Sequence, residues 1–158
     1  KAIMDQADRF AKTSASNVYG TANTSFNWGS NMTVSNYGAV LGIAYALTGE
    51  EKYFDAAEAN LHYLLGCNSL DICFVTGYGT VSPQNPHHRP SIAVKRAMPG
   101  MLVGGVNTKL EDSIAKTKLK DAPLYKRYVD HKESYSTNEI TIFCNSPFIY
   151  LVSLIYGK

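Results

Sequence analysis

Apolar residues recur three and four positions apart in four stretches of the chain, the spacing of helices that bury one face. The stretches are residues 2–14, 34–47, 50–65 and 138–156. Thr48-Gly49 ends the second stretch, since glycine readily takes the left-handed conformation that closes a helix. Only a few residues separate the second and third helices, which predicts antiparallel neighbours. The pattern therefore predicts an all-α fold of about four helices.

The segments between these helices lose the helical pattern. Residues 15–31 and 66–108 are rich in residues that favour turns, and the second segment is unusually long for a compact domain. Residues 109–127 carry six Lys or Arg against three acids, which indicates a solvated surface segment. Four apolar helices with so much loop make a thin core. We therefore expect residues 1–158 to be one part of a larger module.

Composition narrows the class of protein. With 158 residues, 45% hydrophobic and 18% charged, the chain is that of a single globular domain. A net charge of +2 is too small to favour nucleic acid or an anionic membrane as partner. No apolar run reaches the roughly 18 residues of a membrane span, and no signal peptide is recognisable.

The three cysteines, Cys67, Cys73 and Cys144, lack the spacing of a zinc site. We expect free or buried thiols, with a Cys67–Cys73 disulfide left open. The eleven tyrosines suit sugar binding as well as ordinary packing, because their rings have apolar faces and a polar edge.

Two carboxylates, Asp130 and Glu139, lie nine residues apart just before the last apolar stretch. A general acid is a carboxyl group held beside the substrate, and Glu139 is the candidate. The apolar residues after it, such as Ile142 and Phe143, would keep water away from it. However, Ser136 to Glu139 also fits a capping box, in which Glu139 opens the last helix and reaches back to the Ser136 N–H. Asp130 either orients a substrate hydroxyl or a catalytic neighbour, or lies on the surface among cationic side chains.

The segment Pro86-His87-His88-Arg89-Pro90 is a second candidate site. Its prolines restrict the backbone, and its imidazoles and guanidinium can hold sugar hydroxyls or a carboxylate. A histidine pair for a metal ion is disfavoured, because adjacent side chains seldom point the same way. Trp28 lies in a polar loop, where it either plugs the domain or faces a ligand.

Taken together, these stretches resemble glycoside hydrolase family 9, the cellulase family with an (α/α)6 barrel. The residues that match one family signature are Tyr128, Asp130, Tyr135, Glu139, Asn145 and Ser146. A second signature ends in Pro86-His87-His88-Arg89, although Cys73 and Val81 depart from its usual residue types. Shorter matches are Trp28–Asn31 and Pro99–Gly105. The resemblance covers nearly the whole chain.

The resemblance implies hydrolysis of β-1,4-glucan with inversion. Glu139 matches the acid that protonates the glycosidic oxygen, and Asp130 matches the second active-site carboxylate of the signature. The residues implied to contact sugar are His87, Arg89, Trp28, Tyr78 and Tyr135. Inversion also needs a carboxylate base, about 6.5–9.5 Å from the acid, to activate water.

The family's base lies in an Asp-Ala-Gly-Asp type motif, which does not occur in residues 1–158. Asp71, Asp112 and Asp121 lie in contexts that do not suit this role. The chain is therefore expected to be the C-terminal part of the barrel, with the acid but without the base, and inactive alone. We expect no metal or cofactor in this chain, while calcium in the complete module stays open.

The expected partners are a β-glucan and the remainder of the catalytic module, in a secreted protein. Two Asn-x-Ser/Thr triplets, at Asn23 and Asn31, are compatible with secretion. Two alternatives remain. One is a non-catalytic sugar-binding or structural piece of the barrel, and the other is an exo-acting cellobiohydrolase or glucosaminidase of the same family.

Overall fold

The computed structural model describes residues 1–157, whose regular structure is helical, with two isolated β-bridges. In chain order the helices are α1 (Ala2–Ser16), α2 (Ser30–Thr48), α3 (Glu51–Leu65), α4 (Arg89–Ala93), α5 (Ser113–Lys118), α6 (Tyr135–Asn138) and α7 (Ile142–Tyr156). A 3-10 turn at Leu124–Lys126 precedes α6. The all-α prediction is confirmed, and the four long helices are the four predicted stretches with shifted ends.

Helix α2 lies at the centre of the packing, against α3 on one side and α7 on the other. It meets α7 through glycines: a Cβ on Gly38 would lie 2.7 Å from Leu151 Cδ2, and one on Gly42 would lie 2.9 Å from Leu154 Cδ1. From Gly38 to Gly42 on α2, the contacted residue on α7 moves forward from Leu151 to Leu154. The two helices therefore run parallel. The turn at Gly49 reverses the chain into α3, which is antiparallel to α2 as predicted.

The predicted start of the last helix is wrong. Helix α7 begins at Ile142, and its N-cap is Thr141, whose hydroxyl oxygen accepts a hydrogen bond from Cys144 N at 3.3 Å. Glu139 instead has extended backbone, with φ −75° and ψ 140°, after the short helix α6. The predicted capping box does not form, because the Ser136 N–H donates to Asp112 at 3.0 Å instead of to Glu139.

The long loops lie at the end of the bundle where α2 and α7 begin, and polar side chains fasten them to the helices. Asn145 on α7 accepts from Leu102 N at 2.7 Å and donates to Leu102 O at 3.0 Å. Asn60 on α3 accepts from the Thr21 hydroxyl and from Ala22 N. These pairs satisfy buried backbone groups, so the loops are held in fixed positions.

The cysteines are free thiols, as expected: Cys67 is exposed, while Cys73 and Cys144 are buried. The open Cys67–Cys73 disulfide is not formed. Within residues 1–157, no helix has the length and apolar character needed to cross a membrane.

One side of α7 leaves large apolar side chains in solvent. Ile142 is 89% exposed and Ile149 is 63% exposed. Ile149 lines a cleft of about 370 Å³ between α3, α7 and the segment around Val75. A contiguous apolar surface of this kind marks a contact with further protein or ligand.

Candidate functional site

Glu139 is joined to the Pro86–Pro90 segment by a parallel β-bridge with His87. His87 N donates to Asn138 O at 2.9 Å, and Ile140 N donates to His87 O at 3.4 Å. Two segments that are 52 residues apart in sequence therefore fix each other's backbone. The bridge brings the candidate acid beside a candidate sugar-binding histidine.

The Asp130 carboxylate is fully engaged in hydrogen bonds. It accepts from Gln84 N at 2.7 Å, from Asn85 N at 2.8 Å and from the Asn138 side-chain amide at 2.9 Å. Asp130 thus connects the loop before His87 to the residue before Glu139. Its role in orienting a catalytic neighbour, one of the two interpretations that the sequence left open, stays a prediction.

Asn138 completes this connection. Its amide nitrogen donates to Asn85 O at 2.7 Å as well as to Asp130, and its amide oxygen accepts from the buried Tyr128 hydroxyl at 2.6 Å. Burial and the charge of Asp130 raise the pKa of Tyr128 well above its ordinary value, so the hydroxyl stays a donor at neutral pH.

Asp112, which sequence reasoning set aside, is a buried anchor beneath α6. It is 4% exposed and accepts from the hydroxyls of Ser134 and Ser136 at 2.8 and 2.5 Å, and from Ser136 N at 3.0 Å. It also caps α5 by accepting from Ala115 N at 2.7 Å. Burial opposes ionisation, but these hydrogen bonds, foremost that from Ser136, outweigh it and lower the pKa of Asp112.

Two further contacts fix the backbone of α6. The Asn107 amide donates to Ser136 O at 3.0 Å, and Gly105 N donates to Thr137 O at 2.8 Å. Gly105 has φ +93°, and a Cβ there would collide with the side chain of Asn31. A glycine is therefore required for this close approach.

The two histidines have different surroundings. His87 Nδ1 lies 2.6 Å from Lys132 O. Because a carbonyl only accepts, Nδ1 carries the proton and Nε2 of the neutral ring is left as an acceptor. His88 Nδ1 instead pairs with the Ser91 hydroxyl at 2.8 Å, which fastens the start of α4. Residues 1–157 hold no cluster of three or more potential metal ligands.

The predicted sugar-facing rings do not all lie together. Tyr135 is partly exposed, with its ring centre 6.4 Å from that of His87. The ring of Trp28 lies 5.8 Å from that of Phe143, just after the Glu139 segment. Tyr78 lines the apolar cleft beside α7. Arg89 is exposed at the first position of α4.

The surroundings of Glu139 are more open than the sequence suggested. Its side chain is half-buried, and the Ile142 and Phe143 side chains that were expected to shield it are mostly exposed. Burial raises the pKa of the Cys144 thiol, and the nearby charge of Glu139 contributes in the same direction. Glu139 therefore lies near Cys144 at the start of α7.

Sequence reasoning missed Asp112, Asn107 and Asn138 as site residues. Asp112 carries a local signal, because Asp before Ser-Ile-Ala is a good N-cap for a helix. Nothing local shows that its second oxygen reaches Ser136. Asn138 precedes Glu139 directly, but its bonds to Asp130 and Asn85 depend on the folded loops.

Comparison with known proteins places these residues in a family context. Residues 1–152 match the model of Glycosyl hydrolase family 9. The chain is 42% identical over 153 residues to a cellodextrinase of Butyrivibrio fibrisolvens, covering 94% of this chain and 28% of that protein. It is 43% identical over 136 residues to a cellulose 1,4-beta-cellobiosidase of Acetivibrio thermocellus, covering 82% of this chain and 15% of that protein. The chain thus spans less than a third of these relatives.

Solved structures agree with the fold. A thermostable endoglucanase of Alicyclobacillus acidocaldarius superposes with a TM-score of 0.90 at 35% identity, over 98% of this chain and 30% of that one. The family 9 endoglucanase J30 superposes with a TM-score of 0.90 at 30% identity, over 99% of this chain and 30% of that one. Such endoglucanases have an (α/α)6 barrel, and the helices described above form part of one.

Proposed function

Because the chain belongs to glycosyl hydrolase family 9, we propose that it forms one wall of a site that hydrolyses β-1,4-glucosidic bonds with inversion. Glu139 is the general acid and protonates the glycosidic oxygen as the bond to the sugar breaks. The observation that carries this proposal is the bridge that holds Glu139 beside His87, with Asp130 bonded to the residue before Glu139.

Asp130 acts on the acid through Asn138. With its carboxylate occupied by N–H donors, Asp130 holds the backbone that presents Glu139 and keeps the loop of His87 beside it. His87 Nε2 is then available to accept a bond from a sugar hydroxyl. Arg89, Trp28, Tyr78 and Tyr135 are proposed as further sugar contacts.

The base that activates water lies outside residues 1–158. A carboxylate about 6.5–9.5 Å from Glu139, across the scissile bond, is what inversion requires. The remainder of the module would supply it and cover the exposed side of α7, where Ile142 and Ile149 lie in solvent. The isolated chain is therefore expected to be inactive.

The proposed substrate is cellulose or a related β-glucan. Since such polymers do not enter cells, we also propose that the protein acts outside the cell. The Asn-x-Ser/Thr triplets do not support this location, because Asn23 and Asn31 are buried.

The names of the relatives leave endo and exo action open. The two relatives at 42% and 43% identity are a cellodextrinase and a cellobiosidase, which favours short chains or chain ends as a second candidate. A xyloglucan-specific endo-beta-1,4-glucanase of Bacteroides ovatus is 38% identical, which favours internal cleavage. Analysis of the first products from a long soluble glucan separates the two: mixed oligosaccharides indicate endo action, and cellobiose alone indicates exo action.

The test of the acid is Glu139→Gln in the complete polypeptide that carries these residues. A general acid contributes about 10²–10⁴-fold, so we expect kcat on carboxymethyl cellulose to fall by that factor while KM changes little. The matched control is Glu133→Gln, a surface carboxylate six residues earlier, which should leave kcat unchanged. Inversion is checked by proton NMR of the first product, which should be the α-anomer. Unchanged kcat in Glu139→Gln would refute the assignment.

A further inference from the structure

A second groove, separate from the Glu139 site, lies where the loop after α1 meets the end of α3. The tyrosine groove, as we name it, has a volume of about 420 Å³. It is lined by Tyr19, Asn23, Phe26, Tyr63, Tyr125 and Lys126, together with smaller residues, most of them polar. None of the proposed catalytic or sugar-binding residues lines it. Its volume is in the range of about 300–1,000 Å³ that is usual for small-molecule sites.

Aromatic rings form both the floor and the rim of the tyrosine groove. Phe26 and Tyr63 are buried, with ring centres 6.0 Å apart, and Tyr125 meets Phe26 edge to face at 5.4 Å. Tyr19 and Tyr125 stay exposed at the rim, Tyr125 by 55%. Exposed aromatic faces beside polar groups suit a ligand that is itself apolar on its faces and polar at its edges.

The loop that carries Asn23 is fastened on both sides. Asn60 accepts from Thr21 and Ala22, and Thr108 donates twice to Phe26 O, each time at 2.8 Å. On the opposite rim, the Ser69 hydroxyl donates to Tyr125 O at 2.6 Å. The groove is therefore preformed, and binding requires little ordering of the loop.

The lining chemistry selects the ligand class. One lysine and no carboxylate line the groove, which disfavours a cation and provides little charge for a polyanion. Aromatic rims and hydroxyl groups instead match a neutral sugar, whose own hydroxyls can form hydrogen bonds and whose C–H faces pack on tyrosine. We propose that the tyrosine groove is a second carbohydrate site that binds a β-1,4-glucan segment. The choice of glucan rests on the proposed function, whereas the groove itself does not.

A second site on the same polymer would raise the effective substrate concentration at the cleavage site. Both sites open among the loops at the same end of the helices. We therefore expect the groove to improve action on long chains and to leave action on very short substrates unchanged.

The experiment is calorimetric titration of the complete polypeptide with cellotetraose, in a Glu139→Gln background that stops hydrolysis. We expect two binding events, and Tyr125→Ala should weaken one of them at least tenfold while leaving the other unchanged. The matched control is Leu124→Ala, which changes an equally exposed neighbour in the same turn that does not line the groove. It should leave both events unchanged.

Thermal unfolding checks that each variant is folded, and Tyr19→Ala on the other rim replaces Tyr125→Ala if the latter unfolds. A single binding event, or equal binding by the rim variant and Leu124→Ala, would overturn the proposal. Failure of the proposed function would look different, because kcat would then survive Glu139→Gln whatever the tyrosine groove binds.

Discussion

At the scale of single residues, Asp112 shows how much one carboxylate can hold in place. Its two oxygens accept from Ser134, Ser136 and Ala115, so it fixes the start of both α5 and α6. The segment that it holds ends at Glu139. Asp112 therefore holds the backbone that lies three to five residues before the candidate acid.

Replacing Asp112 by asparagine should destabilise the protein. The new NH₂ group cannot accept the hydrogen bonds of the serines, so buried donors lose their partner. We expect the free energy of unfolding at pH 7 to fall by about 2–3 kcal/mol, measured by urea denaturation. Asp121→Asn is the control, because the Asp121 side chain is 87% exposed and should have almost no effect.

The same residue predicts a pH dependence. Hydrogen bonding lowers the pKa of folded Asp112 below that of the unfolded chain, which is about 3.9. The stabilisation by its charge is therefore complete above about pH 4 and is lost as the pH falls through the lower, folded pKa. The gap in stability between wild type and Asp112→Asn should shrink as the pH falls below about 4. An equal gap at pH 7 and at the acid end would show that the charge is not responsible.

At the scale of elements, the start of α7 separates Glu139 from the helix to which the sequence assigned it. Thr141 caps α7, and the extended residues before it are free to form the bridge with His87. A helix that began at Asn138 would have directed the Glu139 carbonyl and amide along its own axis. With its extended backbone, Glu139 lies between the end of α6 and the start of α7.

Thr141→Ala should therefore cost about 0.5–2 kcal/mol of stability through loss of the N-cap, measured by thermal or urea unfolding. Thr13→Ala is the matched control, because Thr13 lies inside α1, where its hydroxyl only bonds back to Arg9 O. Equal effects of the two substitutions would show that α7 begins elsewhere.

At the scale of the whole molecule, one side of α7 leaves large apolar side chains exposed, and we propose that the remainder of the module covers it. The apolar side chains of Ile142, Phe143 and Ile149 are exposed to solvent on α7. The chain spans 28% of the cellodextrinase and 30% of the endoglucanase that it matches, so most of each of these relatives has no counterpart in residues 1–158. Contact with the remainder of the module would remove these apolar side chains from water, which is energetically favourable.

Ile149→Asp in the complete polypeptide tests this contact. If the remainder of the module buries Ile149, the substitution places an unpaired charge in an apolar interface and should cost more than about 3 kcal/mol. Gln6→Asp, at an exposed position in the first half of α1, is the control and should stay within about 0.5 kcal/mol. An effect of Ile149→Asp as small as that of the control would mean that this side stays open to solvent.

The sequence by itself determined the four long helices, since apolar spacing is a local property that each helix carries alone. It also determined the residue types of the candidate site, because the spacing of the motif residues can be read from the sequence without the structure. The tertiary structure decided where Glu139 lies. Ser136 donates hydrogen bonds to Asp112, 24 residues away, and Glu139 forms a β-bridge with His87. These bonds between distant segments replace the local capping box. Only packing brings such partners together, which is why Asp112 and the tyrosine groove could not be predicted from the pattern along the chain.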